Sequence, residues 1–505
     1  MVLRCGNSVT TAALLRWALA AALLGALVAV FGLRHPRIDN ESVDYMSIAY
    51  NMASGHGFVT DIRWHFFTPG PANHPAFGER QPAYPAFLAA GLQIKRSDGM
   101  IHSATATLMY ATCAALTLLA GVAFGVGAAA ATALIVPLCP VAGPAMLTVL
   151  PSGLFVLTEA LGIVAALTAR RRWEWGVVCG LLLAITCLSR GEGFVVSVVV
   201  LLWLARHNRR SAAAAAAALC LALVPNIIAA KRFRVRGPSV QSFHLRVERL
   251  ADGMWYGYGK RFPSALSFIA SKWRYVGRKV GRNVLIYVAS LIKASWLGVG
   301  FAVLAIMAML ARRPPPEAAL ISIAGGAQVL AAAIVWSTTT GAPEPEQHAA
   351  LGAVLLMPLV GWAIAQAWAV RRLAGLAVLA VTLAVYLPTD ASLLASQPDL
   401  LRQAAAAETA AASGARWVGP DDTVASSHPW LVWYLLRRPA VILPKNLGTS
   451  DRLRFLNDYR VRLIVDRAGE TVPWLFTPGV ATVFNGGPSG WWALTVRQKL
   501  AKTAL

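Results

Sequence analysis

The richest chemistry in this sequence lies in a short acidic run, Asp39-Asn40-Glu41-Ser42-Val43-Asp44-Tyr45. Glu41 and Asp44 stand three apart, which places both on one face of a helix, and Asp39 sits just before it. Three carboxylates so placed can serve as a general base for a hydroxyl. They can equally cap a helix and complement its dipole, since acids are favoured at the first turn. Capping accounts well for one acid and less well for three. Downstream, Gly55-His56-Gly57-Phe58 reads as the turn that ends this helix, and Glu79-Arg80-Gln81-Pro82-Ala83-Tyr84-Pro85 opens a second one. Arg80 is read as an anion contact or a lipid-headgroup anchor.

The cations lie elsewhere. Between Lys231 and Arg282 the chain carries thirteen Lys or Arg, Lys260 and Arg261 among them. Such a surface suits an anionic, lipid-linked phosphate, or is simply tolerated in a long loop. Trp255, Tyr256 and Tyr258 in the same segment read as a sugar-stacking surface or an aromatic belt. Glu159 and Lys293 fall inside apolar runs, where a charge is paired or functional. Arg190 and Glu192 stand between two such runs, as a local ion pair or as part of a cavity.

These groups must be held by membrane helices. Of the 505 residues, 57% are hydrophobic and only 14% charged. A soluble protein of this size carries about 25% charge. Long Ala- and Leu-rich runs without alternation exclude a barrel and leave helices. Eleven spans are expected, near 12–33, 100–123, 127–145, 150–169, 174–190, 191–206, 211–230, 284–311, 317–337, 348–369 and 372–391. The first is too long for a signal peptide's apolar core of about 7–15 residues. The six cysteines show no metal spacing and read as small core residues. The net charge of +23 points to anionic lipid, because no nucleic-acid motif accompanies it.

Arg170–Arg172, Arg206, Arg209, Arg210, Arg312, Arg313, Arg371 and Arg372 all fall on one side if the N-terminus is cytoplasmic. The loops 34–99 and 231–283 and the tail then share the outer face. The chain divides into a membrane part, 1–392, and a tail, 393–505. The tail reads as a small α/β domain. Its strands are expected at Thr423–Ser427, Ala440–Pro444 and Val461–Arg467, with helices at Trp430–Arg437 and Asp451–Tyr459. Ala481–Asn485 and Trp491–Arg497 could add strands. No nucleotide fingerprint and no internal repeat are present.

The order of these features resembles the GT-C superfamily of polyprenyl-phosphate-sugar glycosyltransferases. It is most similar to bacterial relatives of protein mannosyltransferases and lipid A aminoarabinose transferases. The resemblance rests on Asp39, Glu41 and Asp44, then Tyr50-Asn51-Met52-Ala53-Ser54-Gly55-His56-Gly57-Phe58 and Arg80-Gln81-Pro82-Ala83-Tyr84-Pro85. Pro151 with Thr158-Glu159, and Ser189-Arg190-Gly191-Glu192-Gly193, continue it. Where many relatives carry an Arg-Tyr pair, this chain has Gln347-His348.

The resemblance implies a multi-pass protein of the bacterial plasma membrane that moves a sugar from polyprenyl phosphate to an acceptor hydroxyl, with inversion. The acceptor would be an envelope glycan, lipid or protein. Asp39 or Glu41 is the leading base and Asp44 the next. Arg80, Arg190, Lys260, Arg261, Lys293 and His348 are the candidates for the donor phosphate, and Tyr84, Glu159, Trp255 and Tyr256 for the substrate lining. A divalent cation, Mg or Mn, held by Asp39 and Glu41 could share the charge. The rival readings are a lipid or glycan transporter without catalysis, and an assembly protein whose tail docks partners.

Overall fold

The structure, a computed structural model, describes residues 8–33, 38–64, 71–77, 79–140, 142–232, 269–294, 315–335, 344–395, 399–444, 447–487 and 490–496. The membrane part opens with α1 (Ser8–Leu33), followed by α2 (Asn40–Ala53). Short strands β1 (Val59–Thr60), β2 (Ile62–Arg63) and β3 (His74–Pro75) come next, then α3 (Ala83–Ile94). The bundle continues through α4 (Asp98–Phe124), α5 (Val126–Ile135), α6 (Ala142–Leu147), α7 (Ser152–Ala169), α8 (Glu174–Ser189), α9 (Gly193–His207) and α10 (Arg209–Arg232). It ends with α11 (Trp273–Ala294), α12 (Pro316–Val335), α13 (Glu344–Val370) and α14 (Arg372–Ala395).

Six of the described helices are long and apolar enough to cross a bilayer, rather than the eleven expected. The difference has local causes. The expected span 127–145 is two helices, because Pro137 and Pro140 cannot continue α5. Gly125, at φ +98, separates α4 from α5. With 16 and 15 residues, α8 and α9 reach only about 24 Å and 22 Å, short of a core of about 30 Å. The expected span 284–311 corresponds to α11 only as far as Ala294, and the rest lies outside the described residues.

Small residues let these helices touch. A Cβ on Gly176 would meet the Ser211 carbonyl oxygen at 2.5 Å, and Gly180 faces the Ala215 carbonyl still more closely. The small residues of α8, four apart, thus lie against small residues of α10, also four apart. Outward, Leu15, Leu19, Leu23 and Leu27 expose a stripe along α1, and Leu202, Leu221, Leu285 and Leu373 are exposed on other helices. In water such surface would be costly, so lipid is its solvent. The chain is a multi-pass membrane protein.

Beyond the bundle come α15 (Asp399–Ala415), β4 (Thr423–Ser426), α16 (Pro429–Leu436), β5 (Ala440–Ile442), α17 (Thr449–Asp458), β6 (Val461–Arg467), α18 (Ala468–Leu475), β7 (Val480–Asn485) and β8 (Trp491–Val496). The six-stranded sheet runs β2-β5-β4-β6-β8-β7. β2, β5, β4 and β6 are mutually parallel neighbours, while β8 is antiparallel to β6 and to β7. The edge strand β2 comes from the first loop, with Ile62 opposite Ala440 and Arg63 opposite Val441. One core joins Val43, Met46 and Ile62 of that loop to Leu108 and Leu154 of the bundle and to Leu431, Trp433 and Leu463 of the tail. Phe455, Ile464, Trp474 and Leu494 belong to a second core with α17 and α18. Loop, tail and one end of the bundle therefore lie on the same side of the membrane.

Candidate active site

Asp39 is the N-cap of α2. Its Oδ1 accepts from Ser42 N at 2.7 Å and from Ser42 Oγ at 2.8 Å, and Ser42 Oγ accepts from Asp39 N at 3.1 Å. This reciprocal box fixes where the helix starts. It also turns Ser42, Val43 and Asp44 inward and leaves Glu41 toward the opening. Burial pushes the Asp39 carboxyl up to about 6, reinforced by the Glu41 charge and opposed by the Ser42 bonds and Arg80.

Asp44 is fully buried. Oδ1 accepts from Thr60 Oγ1 at 2.7 Å, and Oδ2 accepts from Arg80 Nε at 2.7 Å. Arg80 Nη1 also donates to Glu41 Oε1 at 3.2 Å. Burial alone would weaken this cation, but Glu41, Asp44 and Tyr45 outweigh it and hold the guanidinium protonated. Its carbon lies 5.2 Å from the Tyr45 ring centre and 5.9 Å from that of Trp64. The Glu41 side chain remains 44% exposed, against 0% for Asp44. Asp44 is thus closed to a substrate, while Glu41 and the partly exposed Asp39 stand at the opening.

Arg190 ends α8 and donates from Nη2 to Glu192 Oε1 at 3.1 Å, as the local-pair reading anticipates. The nearby Tyr45 and Glu41 also favour its protonated form, so it lies in the neighbourhood of the acid cluster. Gly193 allows this close turn, since a Cβ there would meet the Thr186 backbone at 2.7 Å. Glu159, on α7, is fully buried and near Glu192, and neither of its carboxylate oxygens has a hydrogen-bond partner. Tyr84 is fully buried too. Its hydroxyl meets Thr105 Oγ1 at 2.9 Å and its ring meets Tyr45 edge-on at 5.5 Å. It therefore supports the wall from behind instead of offering its hydroxyl to a ligand.

Lys260, Arg261, Trp255 and Tyr256 lie outside the described residues, as do the side chains of Lys293 and His348 within α11 and α13. Among the described residues no three His, Cys, Asp or Glu gather as a metal-ligand group. Asp44 has both oxygens engaged, Asp39 Oδ1 accepts from Ser42 and Glu41 Oε1 accepts from Arg80. Charge here is balanced by Arg80 and Arg190.

Sequence reasoning missed the joints that hold the loop. His74 Nε2 lies 2.9 Å from Glu79 Oε1 and Nδ1 lies 2.8 Å from the Ala72 carbonyl oxygen. Asp98 accepts from Tyr50 Oη at 2.7 Å and from Arg437 Nη2 at 2.6 Å. Arg437 also stacks on Trp433 at 4.5 Å. The two Asp98 pairs join residues 48 and 339 positions apart, so no local spacing shows them.

The opposite end of α7 has another character. Arg170 Nη1 pairs with Glu317 Oε1 at 2.5 Å, and Ser211 Oγ donates to the Ala169 carbonyl at 2.6 Å. Two of the short basic loops, at 170–172 and 206–210, thus meet about 27 Å from the end of α7 nearer the acid site, the length of its 18 residues.

Residues 73–229, which include Arg80, Glu159, Arg190 and Glu192, match the family model of dolichyl-phosphate-mannose-protein mannosyltransferase. The structure is similar to that of ArnT from Cupriavidus metallidurans bound to undecaprenyl phosphate, with a TM-score of 0.64 and 16% identity over 96% of this chain and 98% of that one. The chain shares the fold of that structure. A second GT-C structure, the archaeal oligosaccharyltransferase AglB from Archaeoglobus fulgidus in complex with an inhibitory peptide and a dolichol-phosphate, aligns with a TM-score of 0.53 and 12% identity, over 90% of this chain and 69% of that one. No curated protein sequence matches the chain. The GT-C resemblance read in the sequence therefore holds, by family model over one segment and by fold over nearly the whole chain.

Proposed function

We propose that this protein is an inverting glycosyltransferase that moves a sugar from a polyprenyl-phosphate donor to an acceptor hydroxyl at the outer face of the plasma membrane. The observation that carries the reading is the half-exposed Glu41 held by the buried Arg80–Asp44 pair, with Arg190 in its neighbourhood. A lipid-linked donor agrees with the undecaprenyl phosphate bound by ArnT and the dolichol-phosphate bound by AglB. An outward orientation is supported by the basic loops at 170–172 and 206–210, which meet at the end of the bundle away from the acids.

In this reading Glu41 takes the proton of the acceptor hydroxyl. The acceptor oxygen attacks the anomeric carbon as the bond from that carbon to the phosphate oxygen breaks. Polyprenyl phosphate leaves with the electron pair, so the departing group needs cations more than a proton. Arg190 supplies one from the described residues, with Lys260, Arg261, Lys293 and His348 as further candidates. Arg80 keeps Glu41 in place, and Asp39 fixes the start of the helix. Asp44 is structural, since both its oxygens are taken.

The test is to incubate the purified full chain with polyprenyl phosphates carrying labelled sugars and with envelope fractions. Label in a new glycosidic bond supports the reading. Label that crosses vesicles without a new bond would support transport instead.

A further inference from the structure

The parallel strands of the tail sheet end on the side of the acid site. Trp64 follows β2, and its ring lies between Arg80 at 5.9 Å and Trp430 of α16 at 6.3 Å. Along the same edge β4 is followed by Ser427 and His428, and β6 ends in Asp466 and Arg467. β4 lies between β5 and β6, so the chain reverses its direction across the sheet there. In open α/β sheets, the crevice beyond the carboxyl ends of the strands at such a point is where ligands bind. His428 lies 5.7 Å from the Trp491 ring, and Arg467 lies 5.8 Å from it and is itself exposed.

The edge continues into a groove of roughly 550 Å³ lined by Gly469, Val472, Pro473, Asn485, Gly487 and Trp492. The Trp492 indole is locked in place, since its N–H donates to the Gly487 carbonyl at 2.8 Å. The groove is bordered by α18, which packs in the second core, on the sheet face away from α2. A lipid tail bound there would have to leave the bilayer. A peptide adding a strand would use the free side of β7, not the strand ends. A fixed aromatic face with an amide beside it, and the exposed Arg467 further along the same strand-end edge, suit sugar rings and their hydroxyls.

We propose that this strand-end edge docks a linear glycan chain, which runs from the Glu41 site past Trp430 and Arg467 to the Trp492 groove. The proposal rests on the transferase reading and names its acceptor class. The six strands side by side span roughly 24 Å, so the acceptor is an oligomer and not a single sugar.

Two measurements on the full chain in lipid nanodiscs test it. The first is binding of fluorescent linear oligosaccharides of increasing length, neutral and uronic, with no donor present. Affinity is expected to rise with length until the chain spans the edge. Arg467→Gln and Trp492→Ala are expected to remove that gain, each weakening the longest ligand about tenfold. Arg467→Gln alters an exposed side chain, so it keeps the test open if Trp492→Ala fails to fold. Affinity independent of length, equal affinity in the variants, or tighter binding of an extended peptide of matched length would overturn the proposal. The second compares label transfer to the envelope acceptor with donor hydrolysis by water. The same variants are expected to slow transfer about tenfold and to leave hydrolysis unchanged. A wild-type protein that binds long glycans yet neither transfers nor hydrolyses would bring down the transferase reading and not the docking edge.

Discussion

Arg80 Nε donates to Asp44 Oδ2 at 2.7 Å, joining two charges that are 36 positions apart in the chain and buried together. Removing one member of a buried pair strands the other. Arg80→Met is expected to lower stability by about 3–5 kcal/mol. Arg80→Met with Asp44→Leu should recover much of that loss. Thermal unfolding in detergent measures both. A single variant as stable as the wild type would show that the pair does not hold the loop.

The joint between the tail and the loop makes a second prediction. Arg437 bonds Asp98 and stacks on Tyr50, Trp433 and Tyr434. Arg437→Ala is expected to raise proteolytic cleavage within 399–496 while leaving the bundle intact. Limited proteolysis followed by mass spectrometry would show it, and an unchanged cleavage pattern would count against this joint.

Much of this was legible in the sequence, and the parts that were not share a cause. Strands β4 to β8 stand where the alternation and turn residues place them, because each is a local run with its own pattern. The acids at the start of α2 were visible for the same reason. β2 was not, since two residues carry no period and pair with a strand nearly 380 positions away. The Arg80–Asp44 and Arg437–Asp98 pairs are likewise tertiary. The break after Ile135 was legible in Pro137 and Pro140 but was outweighed by the apolar run around them.

Helix packing supplies a third prediction. Gly180 lies so near the Ala215 carbonyl that any side chain must push α8 from α10. Gly180→Leu is expected to reduce folded yield sharply. Leu202→Ala, on an exposed lipid-facing position, should change it little. Size-exclusion profiles of the two variants compare them directly, and equal monodispersity would contradict the packing described.

Acid titration separates chemistry from folding. The folded Asp39 carboxyl sits near 6, above its ordinary 3.8. As pH falls through 6 the folded state gains a proton that the unfolded chain does not yet bind. Its contribution to stability is full below 3.8 and is lost as pH rises through 6. Transfer should behave oppositely. Protonating Asp39 removes the negative charge beside Glu41 and makes that base weaker, so kcat/KM is expected to fall below about pH 6. Asp39→Asn should abolish that limb. An acid limb unchanged in Asp39→Asn would assign it to another group.

The most direct test of the account is the single-turnover rate of label transfer by Glu41→Gln from a polyprenyl-phosphate sugar that the wild type uses. Loss of a general base predicts a rate lower by about 10²–10⁴, with thermal unfolding and donor binding unchanged. A Glu41→Gln rate within twofold of the wild type would contradict the assignment of Glu41 as the group that activates the acceptor.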